Sequence, residues 1–385
     1  MAKHRTPKRA ASKKRQDPRP ERPTRERHPK TETGRGTARG ARAPATSSND
    51  RPSRAWLIRC APGLAKLATA ELRHLKVLGG RDRVDVLWQR NHDMLFLPQV
   101  AANPVQAAPR LAQDLDRCVI YGRYKVSARQ LDRLAKALEA KPVPTRIVVT
   151  AEGQHFNRQD LKRFLGRELA SRGVRISESA ERTVFVFCVD QAYYVALPEG
   201  GADTVPGRSS RTAEREGSLP PTIAAAMAFI ARPTDDDTIL DPVCGSGTLL
   251  AEASGFAPDA RLIGRDLDSR AVAVTRGNLA ERNANVVQGD ARDLDLPDGG
   301  ISIIMANLPF GKQFGDAAEN PALYREIFAE FRRVGSRGTW RAVVLAADAD
   351  AVRDAAEAEG LRVRQTIPLR VRGEPANIVE LTRRL

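Results

Sequence analysis

Cysteine is scarce: there are four in 385 residues, and none of Cys60, Cys118, Cys188 and Cys244 belongs to a Cys-x-x-Cys pair. That spacing argues against a zinc site or any other metal centre and against a disulfide framework. The expectation is buried free thiols in a reducing cytoplasm. Long apolar runs are also missing. Nothing approaches the roughly 18 apolar residues of a membrane span, and the Ala-rich run at 224–231 is too short. The N-terminus lacks the apolar stretch of a secretory signal, so a cytoplasmic chain with no membrane partner is expected.

Acidic residues are few where basic ones crowd. Residues 1–53 hold 16 Lys+Arg against 5 Asp+Glu, a net +11 of the whole chain's +16. This arm, rich in Pro, Ser, Thr, Gly and Arg, has almost nothing apolar to bury, and its composition predicts disorder. Such an arm attracts polyanions by counterion release, without sequence preference. A solubilising tail is the plainer alternative.

Order is expected from residue 54. Trp56 to Cys60 reads as a strand, Ala61-Pro-Gly63 as a turn, and Leu64, Leu67, Leu72 and Leu75 as one face of a helix. Strands at 84–88 and 94–97 complete a small α+β unit over 54–125. A second unit over 126–200 starts with a helix from Ser127 to Ala140, closed by Pro142 and Pro144. A strand at 146–150, a helix from Asp160 to Arg172 and a strand pair around Val189-Asp190-Gln191 follow. Residues 201–217 have the texture of a linker.

From residue 218 to 385 strands and helices alternate. Pro220-Pro221 suit a helix start. Strands are predicted at 238–240, 261–264, 284–287, 301–306 and 342–346, with a closing pair at 361–369 and 377–382. This pattern gives an α/β class: a doubly wound, mainly parallel sheet behind an N-terminal α+β region.

In such sheets ligands bind beyond the carboxyl ends of the strands. Asp241-Pro-Val-Cys-Gly-Ser-Gly-Thr248 ends the first strand of the alternating region. Gly245 and Gly247 allow a tight turn and close approach of a ligand. Asp266 closes the second strand, 19 residues after Gly247, where a carboxylate can accept both hydroxyls of a ribose. A phosphate-cradling loop would want Gly-Lys-Ser/Thr, which is missing, and a dinucleotide fingerprint wants glycine where Leu250 stands. Asp241, just before the glycines, would repel a pyrophosphate but suits the ammonium of a methionine moiety. S-adenosylmethionine satisfies all three conditions, with Asp290 in Gln288-Gly-Asp290 placed to meet the adenine amine.

A second signature, Asn307-Leu308-Pro309-Phe310, begins 59 residues after Thr248, at the end of the fourth strand. The exocyclic amine of a base is a poor nucleophile, because its lone pair is delocalised into the ring. Two acceptors, the Asn307 side-chain carbonyl and a nearby backbone carbonyl, can hold both amine hydrogens and aim the lone pair at an electrophilic methyl. Pro309 stiffens the turn, and Phe310 offers a face on which an extruded base stacks. Catalysis would then be mainly proximity and alignment. Gly311-Lys312 reads equally as a basic lip for phosphate or as solvated surface.

These residues resemble the THUMP-domain RNA guanine-N2 methyltransferases. Ser218-Leu-Pro-Pro-Thr-Ile-Ala-Ala-Ala-Met227, Asp241 to Thr248, Gly264-Arg-Asp-Leu-Asp268 and Asn307-Leu-Pro-Phe-Gly311 follow the family's motifs in order. The resemblance implies a class I S-adenosylmethionine-dependent methyltransferase with a Rossmann-like sheet, acting on RNA guanosines of tRNA or ribosomal RNA. It implies that Asp241, Gly245, Gly247, Asp266 and Asp290 bind the cofactor, and that Asn307 to Phe310 hold the base. Ala61-Pro-Gly-Leu64 to Leu72 looks like the ferredoxin-like unit that precedes a THUMP domain. Thr150 to Leu197, with Gly166, resembles the THUMP domain, which in this family captures the acceptor end of tRNA. Leu308 departs from the proline common in many amino-methyltransferase motifs. Two alternatives remain: an adenine-N6 methyltransferase, whose base presents the same kind of amine, and a non-catalytic RNA-binding protein on the same fold.

Overall fold

The computed structural model describes residues 55–88, 92–139, 143–152, 156–201, 203, 205, 218–310, 320–336 and 338–383. The arm at 1–53, most of the linker at 201–217 and the Gly311-Lys312 lip lie outside them.

The N-terminal half builds one sheet. Its strands are β1 (Ala55–Cys60), β2 (Asp85–Trp88), β3 (Asp93–Leu97), β4 (Asp114–Arg123), β5 (Thr145–Glu152), β6 (Arg182–Val189) and β7 (Ala192–Gly201). They lie in the order β2-β3-β1-β4-β7-β6-β5. The two stretches read as separate units, 54–125 and 126–200, are continuous in this sheet, because β4 pairs antiparallel with β7. Strand β4 has no sequence expectation behind it. Its ladder with β7 shifts register between Leu115 and Asp116 and again between Cys118 and Ile120. The first shift sets its extra residue, Glu199, on β7; the second sets Val119 as the extra residue on β4 and there resets the two-residue alternation by which a half-buried strand is recognised.

The sheet is curled. Phe96 on β3 and Tyr194 on β7 have ring centroids 4.9 Å apart, although β1 and β4 lie between their strands. Three strand spacings of about 4.8 Å would separate them in a flat sheet, so this face is concave and buries itself. Helices α3 (Ala128–Glu139) and α4 (Arg158–Ala170) pack elsewhere in this half, with Leu131, Leu134, Leu138, Leu165 and Leu169 in one cluster. Asn157 caps α4 by accepting from the backbone N–H groups of Gln159 and Asp160.

The C-terminal half follows the predicted alternation. Helix α5 (Pro221–Ala231) starts at Pro221 as expected, and nine of its eleven residues are buried, so it runs through the core. Strands β8 (Thr238–Asp241), β9 (Arg261–Asp266), β10 (Ala284–Gln288), β11 (Ile303–Asn307) and β12 (Arg341–Ala346) pair in parallel with their neighbours. Strands β13 (Leu361–Val371) and β14 (Glu374–Arg383) form the closing pair, β14 antiparallel to β12. The order is β10-β9-β8-β11-β12-β14-β13. The chain steps outward from β8 to β10 and then crosses back to β11 on the other side of β8. The topological switch point therefore lies between β8 and β11, as a doubly wound fold requires. The intervening helices are α6 (Thr248–Phe256), α7 (Ser269–Asn278), α8 (Asn320–Val334) and α9 (Ala349–Ala358).

The two halves share a core. Trp56, Ile58, Leu64 and Leu72 join Met227, Leu250 and Ala253 in one apolar cluster, with α1 (Ala65–His74) on the N-terminal side. A buried ion pair crosses the same junction. Arg110 and Glu252 on α6 meet at 2.9 Å, with side chains 12% and 3% exposed. Glu71 on α1 accepts from the backbone N–H groups of Arg110 at 2.7 Å and Leu111 at 3.0 Å. Position 255 is glycine for a local reason: a Cβ there would stand 2.2 Å from Arg110 Cζ. Among the described residues no helix is long and apolar enough to cross a membrane, all four cysteines are buried and outside any disulfide, and no three His, Cys, Asp or Glu side chains gather as a metal site.

Candidate active site

The parallel register brings the ends of β8, β9, β10 and β11 to one edge, so residues far apart in sequence converge there. The turn after β8 is shaped by glycine at two left-handed positions, Gly245 at φ 56° and Gly247 at φ 77°. A Cβ on Gly247 would also press to 2.8 Å from Thr275 Cγ2, whereas the space beside Gly245 is open. Helix α7 braces this turn from behind. Thr275 Oγ1 donates to the Gly245 carbonyl at 2.8 Å, and Asn278 Nδ2 to the Ser246 carbonyl at 2.9 Å. Ser246 Oγ is 2.9 Å from Ser218 Oγ and 3.2 Å from Thr248 Oγ1, which ties the entrance of α5 to the turn. Thr275 and Asn278 carry no motif of their own; only their place on α7 marks them.

Asp241 is 1% exposed, and its Oδ1 accepts from the Val243 N–H at 3.1 Å. Burial pushes its carboxyl well above the usual carboxylate range against that hydrogen bond, and the nearby Asp266 charge adds to the shift. A cation is what such a carboxyl lacks. Asp266 is spent partly on backbone, Oδ2 accepting from Gly245 N–H at 2.8 Å and Oδ1 from Asp268 N–H at 2.9 Å. Each oxygen keeps a second lone pair for a hydroxyl donor. Next to it Leu267 is 63% exposed, an apolar side chain left open at the strand end. An apolar residue directly after a strand-ending carboxylate is the sequence signal that could have found it.

Asp290 follows at the end of β10, but its carboxylate already has a partner. Arg292 grips it from Nε at 3.0 Å and Nη2 at 2.6 Å, and this contact holds the carboxyl below its ordinary range. Arg292 belongs to none of the motifs that mark the site in the sequence.

Asn307 closes β11, in register with Leu345 on β12. Its Oδ1 is buried and has no hydrogen-bond partner among the described residues. An orphaned buried acceptor costs on the order of 1–3 kcal/mol unless a donor arrives. Leu308 turns out to be an anchor: its side chain is 1% exposed in the core, and its N–H donates to the Leu345 carbonyl at 2.9 Å. Only its main chain remains for chemistry. The Pro309 carbonyl accepts from the Tyr324 hydroxyl at 2.7 Å. Phe310 is half-buried against the shared core.

A doubly wound sheet carrying a glycine turn, strand-ending carboxylates and an Asn-x-Pro-Phe turn at its switch point defines the class I methyltransferase architecture. The comparisons agree. Residues 208–374 match UPF0020, the RMKL-like methyltransferase domain, so the C-terminal half carries a methyltransferase domain of this family. S-adenosylmethionine is the methyl donor of that domain class, and an open glycine turn beside a cation-seeking buried carboxyl fits it. The tRNA (guanine(10)-N2)-dimethyltransferase of Methanothermobacter thermautotrophicus is 38% identical over 114 residues, 29% of this chain and 33% of that protein. The U6 snRNA (guanine-N(2))-methyltransferase THUMPD2 of Mus musculus is 34% identical over 110 residues, 28% of this chain and 21% of that protein. The chain thus spans between a fifth and a third of the length of these curated relatives. The crystal structure of TrmN from Thermus thermophilus matches both halves of the fold, with a TM-score of 0.70 and 22% identity, covering 86% of this chain and 99% of that one.

Proposed function

We propose that this protein is an S-adenosylmethionine-dependent RNA methyltransferase that modifies the exocyclic N2 amine of guanosine, with tRNA the favoured substrate. The observation that carries this reading is the buried Oδ1 of Asn307 at the switch point, without a partner among the described residues. It stands on β11, the strand next to the one that Asp241 ends. Both relatives described above are guanine-N2 enzymes by name, which favours guanine over adenine.

The cofactor, when bound, supplies a methyl group on a sulfonium. Asp241 would hold its ammonium, Asp266 its ribose hydroxyls, and Leu267 would lie against its adenine. Asp290, occupied by Arg292, would approach the adenine amine only with the lone pairs that Arg292 leaves free. Asn307 Oδ1 accepts one hydrogen of the guanine amine, and a carbonyl of the following turn accepts the other. Both bonds draw the nitrogen toward tetrahedral geometry and fix its lone pair. Phe310 stacks the extruded base. The amine loses one proton for the methyl it gains, and alignment supplies most of the acceleration. A cytoplasmic location belongs to this reading, supported by four buried thiols outside any disulfide.

The test is transfer from methyl-labelled S-adenosylmethionine to unmodified tRNA, ribosomal RNA and DNA offered separately, followed by nucleoside analysis. Label in N2-methylguanosine is expected, and the accepting RNA names the substrate. Label in N6-methyladenosine, or no label despite cofactor binding, would overturn it.

A further inference from the structure

The Asn307–Phe310 turn must be rigid if alignment is its contribution, yet its middle residue, Pro309, has no N–H with which to be held. Upstream, the turn is fixed by the β11–β12 ladder and by Leu308 N–H donating to Leu345. Downstream, the described residues provide one hydrogen bond: Tyr324 Oη to the Pro309 carbonyl at 2.7 Å. Tyr324 sits on α8, 1% exposed, with its ring stacked on Phe328 at a centroid distance of 6.2 Å and an interplanar angle of 28°. The ring packs as a phenylalanine would; the hydroxyl alone crosses to the turn.

We propose that Tyr324 is the positioning residue of the amine clamp, its hydroxyl locking the Pro309 carbonyl so that Asn307 Oδ1 stays aimed at the base. This rests on the clamp reading given above. Two facts fit the role. Burial pushes the Tyr324 hydroxyl up to about 12, so it is a donor at every working pH. And the bond links residue 309 to α8, bridging the ends of the stretch 310–320 between the turn and that helix.

Two substitutions separate positioning from packing. Tyr324→Phe keeps the ring and deletes the hydroxyl, whereas Tyr324→Leu deletes both. Amide hydrogen exchange of the peptide spanning Asn307–Phe310 reads the turn without any substrate. Transfer to a transcribed tRNA pool and calorimetry with S-adenosylmethionine read the rest. For Tyr324→Phe, faster exchange confined to that peptide is expected, with about a tenfold fall in kcat. Its KM and cofactor affinity should be unchanged, and its melting temperature should fall only by the small amount one hydrogen bond supplies. In an Asn307→Ala background the same substitution should cost nothing further, because the group it aims is gone. Unchanged exchange and kcat in Tyr324→Phe would overturn the proposal. So would a fall in melting temperature and cofactor affinity shared equally by the Phe and Leu variants, which would make the role structural. Full turnover by Asn307→Ala alone would instead sink the clamp. An inactive Asn307→Ala beside a wild-type-like Tyr324→Phe would sink Tyr324 only.

Discussion

Both halves of the molecule are seven-stranded sheets with buried polar groups, yet they use them in opposite ways. Of the nine buried side-chain atoms without a hydrogen-bond partner among the described residues, six lie in the N-terminal half: Arg59 Nε, Asp85 Oδ2, His92 Nε2, both oxygens of Asp116, and the Tyr194 hydroxyl. Four of them gather about the Arg59 guanidinium, away from any strand-end ligand edge, and electrostatics satisfies part of their need. Arg59 reaches Asp114 at 3.2 Å and Asp116 at 3.3 Å, and its guanidinium lies 5.1 Å from the centroid of the Phe185 ring. In the C-terminal half the orphan that matters, Asn307 Oδ1, stands at a strand end, with a glycine turn and two carboxylates converging on the same edge. An unsatisfied buried atom is therefore weak evidence for chemistry; convergence at the switch point of a parallel sheet is the stronger sign.

That contrast can be broken by paired substitutions. The largest effect is expected at Asn307. Asn307→Ala should cut methyl transfer about 100-fold while cofactor affinity holds, since alignment of the amine is lost. Tyr194→Phe, which deletes an equally buried orphan in the other sheet, should leave single-turnover rates unchanged. Comparable losses in both variants would erase the distinction. Next comes the junction. Arg110→Ala takes away the guanidinium that pairs with the buried Glu252 and should destabilise the fold by about 3 kcal/mol in a denaturant titration. A shift under about 1 kcal/mol would mean that the halves are joined by apolar packing alone.

At the cofactor edge the effects shrink. Asp266→Ala should weaken S-adenosylmethionine binding about tenfold, the size expected for losing a charge-assisted hydrogen bond; an unchanged dissociation constant refutes the ribose role. The smallest effect is with pH. The Asp241 carboxyl is raised in the fold, so without a cation it costs stability as pH climbs from the ordinary carboxylate value through the raised one. An ammonium binds only the ionised form. Cofactor affinity should therefore rise with pH through that window and level off above it, by a few-fold at constant salt. Affinity flat or falling across the same range would remove Asp241 from the ammonium site.

The C-terminal half was legible because its signals are local. Five parallel strands, the β8 turn with its glycines and the Asn-Leu-Pro-Phe turn are each written in a single short stretch. What stayed hidden depends on distance or on broken period. Strand β4 was masked by the extra residue at Val119, and the union of the two N-terminal units follows only from its pairing with β7. Arg292, two residues from Asp290, could have been suspected from sequence, but nothing local says that it grips the carboxylate. Tyr324 reaches Pro309 across fifteen residues, and its helical spacing reads simply as core. Leu308, grouped with the reacting residues by motif, is an anchor whose burial no motif could reveal.

The central claim is that the Asn307 turn grips the 2-amino group of a guanine. Once the accepting guanosine is known, a ligated RNA carrying inosine at that single position, which lacks only this amine, tests it directly. The expected result is normal competition for binding with complete loss of methyl acceptance. Transfer to the inosine RNA at the wild-type rate would place the chemistry on another atom and contradict the clamp.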